Sequence, residues 1–296
     1  MNIAVRVFIA LITLFPMKAY GQAGVCQSFT IDDNLMKLPV SIQGKIYQAV
    51  ITINNTGASI SSNLANELNL VVRQIGNRRI LWKFGRINPY TYANNLELNI
   101  FGSTITASDI AVEDGAENWI QLSLGVFRGL ISQVDFPGKK ICLYSRSDFD
   151  LPGAENIRFG ADAQYGNPMI EVTFNNDLRA WLQILPSYPQ GIKVDPELAA
   201  ELGLIAQAGE IAAAEGNEVS PKLTEIQLGP YSIQNVRVEH PEPGERHNLT
   251  TSGRFITGSH IRRGQGYRGR IGIDVLKHFV LTMDLERQQL HIYAPN

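Results

Sequence analysis

The 296-residue chain has only two cysteines, no long hydrophobic run and no excess of charge of either sign. Its N-terminal apolar run, Val7–Phe15, has nine residues, whereas a helix that spans a bilayer needs about 20. The formal net charge of -2 gives no basic field that would attract nucleic acid or anionic lipid. We therefore expect no nucleic-acid partner and no stable membrane insertion.

Residue patterns typical of metal or serine chemistry are missing as well. Cys26 and Cys142 are 116 residues apart, which is too far for the close-set ligand pairs of a structural zinc site. All five histidines come after residue 239, and neither His-Glu-x-x-His nor Gly-x-Ser-x-Gly occurs. The sequence therefore predicts no metal and no cofactor.

Residues 1–21 have the pattern of a secretory signal peptide. A positive charge in Met1–Arg6 is followed by the apolar run and then by small residues up to Gly21. Cleavage after Ala23 fits the same rule, and a buried N-terminal strand is the alternative. We expect an exported protein, periplasmic or secreted, in which a pair of cysteines is oxidised rather than free.

Two halves of the chain repeat the same order of segments. ISSNLANELNL (60–70) and VDPELAAELGL (194–204) share their apolar positions, and residues 122–144 align without a gap with residues 271–293. Between them, residues 96–112 and 223–238 alternate apolar and polar residues around a glycine, as half-buried hairpins do. The repeat predicts one unit at 24–148, a linker at 149–164 and a second unit at 165–296.

The order of hairpin, loop, helix, strands and closing hairpin resembles the retropepsin-like aspartic peptidases, in particular their exported bacterial members with two tandem domains. The most specific match is RIGIDVLKHFVLTMDLERQQLHIY (270–293), which is similar to the closing Gly-hydrophobic-Asp-x-Leu motif and last hairpin of that family. The resemblance implies a mainly β fold of two closed acid-protease barrels that form a pepsin-like pseudo-dimer. It also implies a ligand cleft between the barrels.

In this family an Asp-Thr-Gly loop before the helix supplies the catalytic aspartate. Family members place this aspartate eighteen residues before the leucine that closes the helix. Here Leu70 and Leu204 close the two helices, and counting back from them reaches Thr52 and Pro186. The alternative frame, Asn55-Thr56-Gly57, contains no aspartate either. Because the mechanism needs two carboxylates that share a proton, the resemblance implies a degenerate site with no catalytic residue. The cleft would be lined by Thr52, Ile53, Asn54, Asn55, Pro186, Ser187 and Tyr188.

The second unit carries an insertion that the first lacks. There are 32 residues between Val238 and Ile271 but nine between Val112 and Leu122. A long loop that concentrates hydrogen-bond donors is typical of recognition, and its candidate arginines are Arg246, Arg254, Arg262, Arg263 and Arg268. The alternative is a solvated surface excursion whose glutamates balance the charge.

The resemblance has two further implications. The ends of one unit lie side by side in a sheet in this fold, which predicts a disulfide between Cys26 and Cys142. Asp274 occupies a position that serves structure in the family, and we expect Asp135 and Asp284 to be acids that flank the turns of the closing hairpins. Three functions remain open. The first is an inactive homologue that binds a peptide, a protein segment or another extended ligand in its cleft. The second is an active, atypical aspartic-type endopeptidase or other hydrolase, and the third is a structural or assembly scaffold. The oligomeric state is left open.

Overall fold

The computed structural model describes residues 7–8, 24–54, 57–75, 81–83, 86–88, 90–162, 166–205, 222–242, 245, 247–250, 254–257, 260–263 and 265–295. The chain is mainly β with few helices.

The described part of the first half contains one short α-helix and a 3-10 helix at Leu124–Phe127. Its elements are β1 Val7–Phe8, β2 Val25–Ser28, β3 Thr30–Asp32, β4 Leu35–Ile42, β5 Lys45–Thr52, β6 Ala58–Ser61, α1 Ser62–Glu67, β7 Val72–Ile75, β8 Leu81–Lys83, β9 Arg86–Asn88, β10 Tyr90–Ala93, β11 Leu96–Ile100, β12 Ser103–Ala107, β13 Ile110–Glu113, β14 Ile120–Ser123, β15 Ile131–Asp135 and β16 Lys140–Tyr144.

The second half has the longer strands. Its elements are α2 Leu151–Ala154, β17 Phe159–Ala161, β18 Pro168–Phe174, β19 Leu178–Ile184, β20 Ile192–Val194, α3 Pro196–Glu201, β21 Lys222–Leu228, β22 Tyr231–Glu239, β23 Arg254–Thr257, β24 His260–Arg263, β25 Gly269–Ile271, α4 Ile273–Leu276, β26 Val280–Asp284 and β27 Gln289–Tyr293.

Six strands of the second half close into a barrel. They pair in the order β22-β20-β25-β19-β18-β21, and β21 pairs with β22 to complete the ring. Ile184, Ile271, Ile192 and Val238 are paired in register across four neighbouring strands. All four side chains are buried, so this row forms part of the interior.

The first half repeats this order of pairing. Its strands run β11-β4-β5-β14-β6-β13, and β12 pairs with β11. β12 and β13 together correspond to the single long strand β22, and they are separated only by Ser108 and Asp109. Asp109 has φ of 52°, and Asn235 within β22 has φ of 60°, so both halves carry a left-handed residue in this part of the barrel. The alternation of buried Leu96, Leu98 and Ile100 with exposed residues in β11 places one face of that strand in the core.

Each half has a short helix directly after its third barrel strand. Ser61 caps α1 by accepting a hydrogen bond from the Leu64 backbone N–H at 3.2 Å. Asp195 caps α3 by accepting one from the Leu198 N–H at 2.6 Å, and Pro196 fits the first turn because a proline needs no N–H partner there. Leu64 and Leu198 are both fully buried, so each helix packs its apolar face on the core.

A five-stranded sheet contains strands from both halves, in the order β2-β16-β15-β26-β27. The closing hairpins of the two halves meet through β15 and β26, which pair antiparallel from Ser132↔Met283 to Asp135↔Val280. Cys26 in edge strand β2 pairs with Cys142 in β16, and a disulfide joins the two residues. The disulfide therefore ties β2, the first strand of this sheet, to the last strand of the first repeat.

Part of the predicted linker at 149–164 belongs to the sheet of the second half. It contains α2 and β17, and β17 pairs with β18 from Phe159↔Ile170 to Ala161↔Pro168. Leu151, Ile157 and Phe159 are buried. The sheet of the second half thus begins before residue 165.

Most of the predicted signal peptide, 1–21, lies outside the described residues. Within it, Val7 and Phe8 pair with Ile233 and Ser232 of β22. Among the described residues, no helix combines the length and the apolar character needed to cross a membrane.

Candidate functional site

The first candidate loop follows β5 and is held by β14 and the turn after it. Thr52, the last residue of β5, pairs with Ser123. The Asn54 carbonyl accepts hydrogen bonds from Ser123 Oγ at 2.6 Å and from the Gly125 N–H at 3.0 Å. Thr52 Oγ1 lies 3.3 Å from Asn54 Oδ1, and Ile53 is buried. Asn55 and Thr56 lie outside the described residues.

The second candidate loop follows β19 and is held in a related way. The Leu185 N–H donates to the Ile271 carbonyl at 3.0 Å, and the Tyr188 carbonyl accepts from the Ile273 N–H at 2.9 Å. Gly272 lies against this loop so closely that a Cβ atom there would be 2.4 Å from the Tyr188 carbonyl oxygen. Pro186 is buried, Ser187 is exposed and Tyr188 is half-buried.

The two loops share their hydrogen-bonding frame. The Ser123 N–H donates to the Gly57 carbonyl at 2.9 Å, and the Gly272 N–H donates to the Gly191 carbonyl at 2.8 Å. Ser123 and Gly272 occupy the same position in the aligned segments 122–144 and 271–293. The structure therefore builds both loops on equivalent backbone positions.

The second loop is one residue longer than the first. Leu122 pairs with Ile51 and Ile271 pairs with Ile184, so the strands equate Thr52 with Leu185. The helix N-caps, Ser61 and Asp195, give a different correspondence. Counting the same number of residues back from each cap pairs Thr52 with Pro186. The sequence count from the helix and the strand register therefore differ by one position in the second half.

Tyr188 of the second loop makes a short hydrogen bond to a carboxylate. Its hydroxyl donates to Glu239 Oε2 at 2.6 Å, and Glu239 Oε1 pairs with Arg237 Nη2 at 2.7 Å. Burial, followed by the hydrogen bond to Glu239, raises the pKa of Tyr188 well above its usual range. At neutral pH this phenol is therefore a hydrogen-bond donor, and it cannot act as a base.

The three aspartates near the closing hairpins make structural contacts. Asp274 is exposed and pairs with Lys277 Nζ at 2.8 Å. Asp135 Oδ1 accepts from the Gly138 N–H at 2.7 Å, and Asp284 Oδ1 accepts from the Arg287 N–H at 3.0 Å. Each of the last two closes the turn of its hairpin.

The candidate recognition arginines that the structure describes fall into two groups. Arg246 lies outside the described residues, and Arg254, Arg262 and Arg263 belong to the hairpin formed by β23 and β24. Arg268 is bound to the barrel: its guanidinium lies 3.3 Å from Asp195 Oδ2 and 3.1 Å from Glu201 Oε1.

The base of the insertion packs on the second barrel. Leu249 is 1% exposed and Tyr267 is 5% exposed. Thr250 Oγ1 donates to Asp195 Oδ2 at 3.1 Å, and Arg270 Nη2 donates to Asn248 Oδ1 at 2.6 Å. The solvated-excursion alternative therefore does not describe Leu249 or Tyr267, although His247, Asn248 and Thr250 are exposed.

Sequence reasoning missed the contact between Asp195 and Arg268 and the environment of Arg270. The Asp-Pro-Glu pattern at 195–197 is a helix-start signal that identifies Asp195 as a cap. No local pattern indicates that an arginine 73 residues later in the chain bonds to the same carboxylate.

Two surface cavities lie along the five-stranded sheet, and the residues that line them do not come from either candidate loop. One, of about 310 Å³, is bordered by Arg146, Phe149, Asp284 and Arg287. The other, of about 290 Å³, is bordered by Gly24, Phe101, Phe127 and Tyr144. In the part of the chain that the structure describes, no three or more His, Cys, Asp or Glu residues are grouped so that they could hold a metal ion.

Comparisons with known proteins give distant structural likenesses. No family model matches the chain, and no curated protein matches it. Among solved structures, the chain is similar to the crystal structure of Basic 7S globulin from soybean. The two share 10% sequence identity, the match covers 92% of this chain and 95% of that chain, and the TM-score is 0.47. Membership of the retropepsin-like family therefore stays a prediction.

Proposed function

We propose that this protein is an exported homologue of the retropepsin-like aspartic peptidases that binds a peptide, a protein segment or another extended ligand without hydrolysing it. The ligand lies in a cleft between the units 24–148 and 165–296, which together form a pepsin-like pseudo-dimer. The residues that form this cleft in the proposal are Thr52, Ile53, Asn54, Asn55, Pro186, Ser187 and Tyr188, of which Ile53 and Pro186 are buried.

The observation that carries the proposal is the shared backbone frame of two loops that lack carboxylates. The Gly57–Ser123 and Gly191–Gly272 hydrogen bonds hold the loops equivalently, yet residues 52–57 and 185–191 contain neither Asp nor Glu. An aspartic mechanism needs two carboxylates with separated pKa values, one as base and one as acid. We infer that the two loops, held by these backbone hydrogen bonds, still form a surface on which a ligand can bind. Without the two carboxylates they have no groups that could hydrolyse it by an aspartic mechanism.

The meeting of the two closing hairpins supports the pseudo-dimer. β15 and β26 occupy the same positions in the aligned segments 122–144 and 271–293, and they pair with each other. Pairing between equivalent strands is what a common axis relating the two units requires, and it supports a cleft formed by equivalent surfaces.

The test uses the purified mature protein with a library of fluorescent hexapeptides. We expect saturable binding by fluorescence anisotropy and intact peptides by mass spectrometry between about pH 3 and pH 7, a window that covers the upper apparent pKa of known carboxylate dyads. Ser187→Trp places a large side chain on an exposed loop position and should weaken binding. Ser108→Trp, an exposed serine outside the loops, is the matched control and should leave binding unchanged.

Two results would overturn the proposal. Pepstatin-sensitive cleavage would show an active hydrolase that uses a constellation the sequence does not reveal. Absence of binding to every peptide, with Ser187→Trp behaving like the wild type, would favour the scaffold alternative.

A further inference from the structure

Four polar side chains form a row on the outer surface of the second barrel, next to the candidate loop. Gln183, Arg270, Lys193 and Glu239 are paired in register across β19, β25, β20 and β22. Paired residues on neighbouring strands project from the same face. Each of the four is a direct neighbour in the chain of one residue of the buried row Ile184, Ile271, Ile192 and Val238. Since side chains alternate between the two faces of a strand, the four project outward, and all of them are half-buried.

Arg270 is a partly buried cation without a carboxylate partner in the part of the chain that the structure describes. Its Nε atom is buried and has no hydrogen-bond partner there, and its Nη2 donates to the neutral amide oxygen of Asn248. Burial lowers the pKa of Arg270 from its usual value. Two other partly buried arginines have their charge balanced by a carboxylate: Arg146 pairs with Asp284, and Arg268 pairs with Asp195.

The nearest acid of the row is already engaged. Glu239 uses Oε1 for Arg237 and Oε2 for Tyr188. Lys193, which lies between Arg270 and Glu239 in the row, adds a second positive charge beside Arg270. A guanidinium taken from water without a counter-charge costs free energy, so this arrangement among the described residues favours the binding of a further anion at Arg270.

The first half does not carry this charge. The strand register equates Arg270 with Gln121, and the equivalent row there is Val50, Gln121, Ser59 and Ala111. The same strand arrangement thus forms with a neutral residue at this position. Since the fold itself does not require a cation there, the cation of the second half calls for another explanation.

We propose that Arg270 binds a carboxylate group of the ligand. The planar guanidinium matches a carboxylate through two parallel N–H···O bonds, and Lys193 adds attraction for the same charge. Asn248 holds the guanidinium in the unliganded protein, and a carboxylate takes over that contact. This inference rests on the proposed function, because the carboxylate is a C-terminus or an acidic side chain of the bound peptide.

The first experiment uses the full mature protein labelled with ¹⁵N. Potassium acetate is titrated at constant ionic strength while the arginine side-chain Nε–H signals are recorded. We expect one signal to move downfield and saturate. That signal should be absent in Arg270→Gln, which introduces the residue of the first half, and in Arg270→Lys, which identifies the signal if the glutamine variant fails to fold. Arg73→Gln, at an exposed position, should leave it unchanged.

The second experiment compares four hexapeptides, with a free or amidated C-terminus and with or without a glutamate. The carboxylate that Arg270 binds is the one whose removal weakens binding by about tenfold or more, the loss expected for a charge-assisted hydrogen bond. In Arg270→Gln the four peptides should bind alike. If acetate moves no Arg270 signal, or if the variant keeps the wild-type preference, the inference is wrong even where peptides bind. An acetate shift with no binding of any peptide would instead refute the proposed function and leave the anion site.

Discussion

Gln133 and Thr282 are paired across β15 and β26, and Gln133 Nε2 donates a hydrogen bond to Thr282 Oγ1 at 2.9 Å. The two residues occupy the same position in the aligned segments 122–144 and 271–293. Moving one residue either way along the strands gives pairs that mirror one another, Ser132↔Met283 and Val134↔Leu281. The pairing of the closing hairpins is therefore symmetric about Gln133 and Thr282.

The disulfide should contribute strongly to stability. It closes a loop with a sequence separation of 116 residues, for which the chain-entropy model gives about 4–5 kcal/mol. We expect the double substitution Cys26→Ala with Cys142→Ala to lower the free energy of unfolding by up to this amount in urea titrations. Reduction of the wild type should have the same effect. Equal unfolding midpoints for oxidised and reduced protein would contradict the prediction.

Asp284 should make stability depend on acid pH. Burial opposes its ionisation, but hydrogen bonds from Arg146 and from the backbone N–H groups of Arg287 and Glu286 outweigh that effect and lower the pKa of Asp284. A depressed pKa gives stability that is present above the unfolded-state pKa of about 3.9 and is lost as pH falls through the folded-state pKa.

We therefore expect Asp284→Asn to be about 1–3 kcal/mol less stable than the wild type at neutral pH, because it removes charge-assisted hydrogen bonds. Below about pH 4 the difference should shrink. Urea unfolding at several pH values measures both effects. Asp135→Asn is the matched control at the equivalent hairpin position, and it should lose less at neutral pH. A constant difference at every pH would show that ionisation of Asp284 is not the cause.

The cap of α3 offers a comparison between the two halves. Asp195→Ala removes the acceptor of the Leu198 N–H and should cost about 1–2 kcal/mol. Asp195→Ser introduces the residue that caps α1, so it should retain part of this stability while losing the contact with Arg268. Thermal unfolding of the two variants measures the difference. Equal losses would mean that the ion pair, and not the cap, provides the stability at this position.

Leu249 tests the packing of the insertion. It is 1% exposed, and truncation of a buried leucine costs about 2–5 kcal/mol. We expect Leu249→Ala to lower the free energy of unfolding in this range. Leu130→Ala, at a position 37% exposed, is the control and should cost much less. A small effect of Leu249→Ala would restore the view that the insertion is a solvated loop.

Restored aspartates can decide which positions oppose each other. If Thr52 and Pro186 correspond, Thr52→Asp with Pro186→Asp creates two neighbouring carboxylates, and at least one has a raised pKa. Because ionisation is then harder in the fold than in the unfolded chain, stability falls as pH rises above about 4. Urea unfolding between acid and neutral pH measures this. Thr52→Asp with Leu185→Asp is the control, and a pH-dependent loss in that pair alone would favour the strand register.

The sequence predicted the repeated elements well because local periodicity determines them. The helices expected within 60–70 and 194–204 form as α1 and α3, and the gapless alignment of 122–144 with 271–293 corresponds to two paired hairpins. Alternating apolar residues in Leu96–Ile100 likewise form a strand with one buried face. Each of these features depends on neighbours within about one turn or one hairpin.

The remaining features depend on contacts that are distant in sequence. The extra residue of the second loop is invisible to a count that starts at the helix, because only the pairing of Ile184 with Ile271 reveals it. The polar composition of the insertion masks the burial of Leu249, and the carboxylate partner of Arg268 lies 73 residues away. No local pattern could show these contacts.

The shared pairing of β15 with β26 has a consequence for the separated halves. A chain that ends near Tyr144 would present β15 as an open edge strand, with the row of N–H and C=O groups that β26 satisfies in the whole protein. Because the pairing is symmetric about Gln133, a second copy of the first half could satisfy that edge in the register that β26 now uses. During synthesis the first half leaves the ribosome before β26 exists, so for that interval its open edge is exposed to self-association.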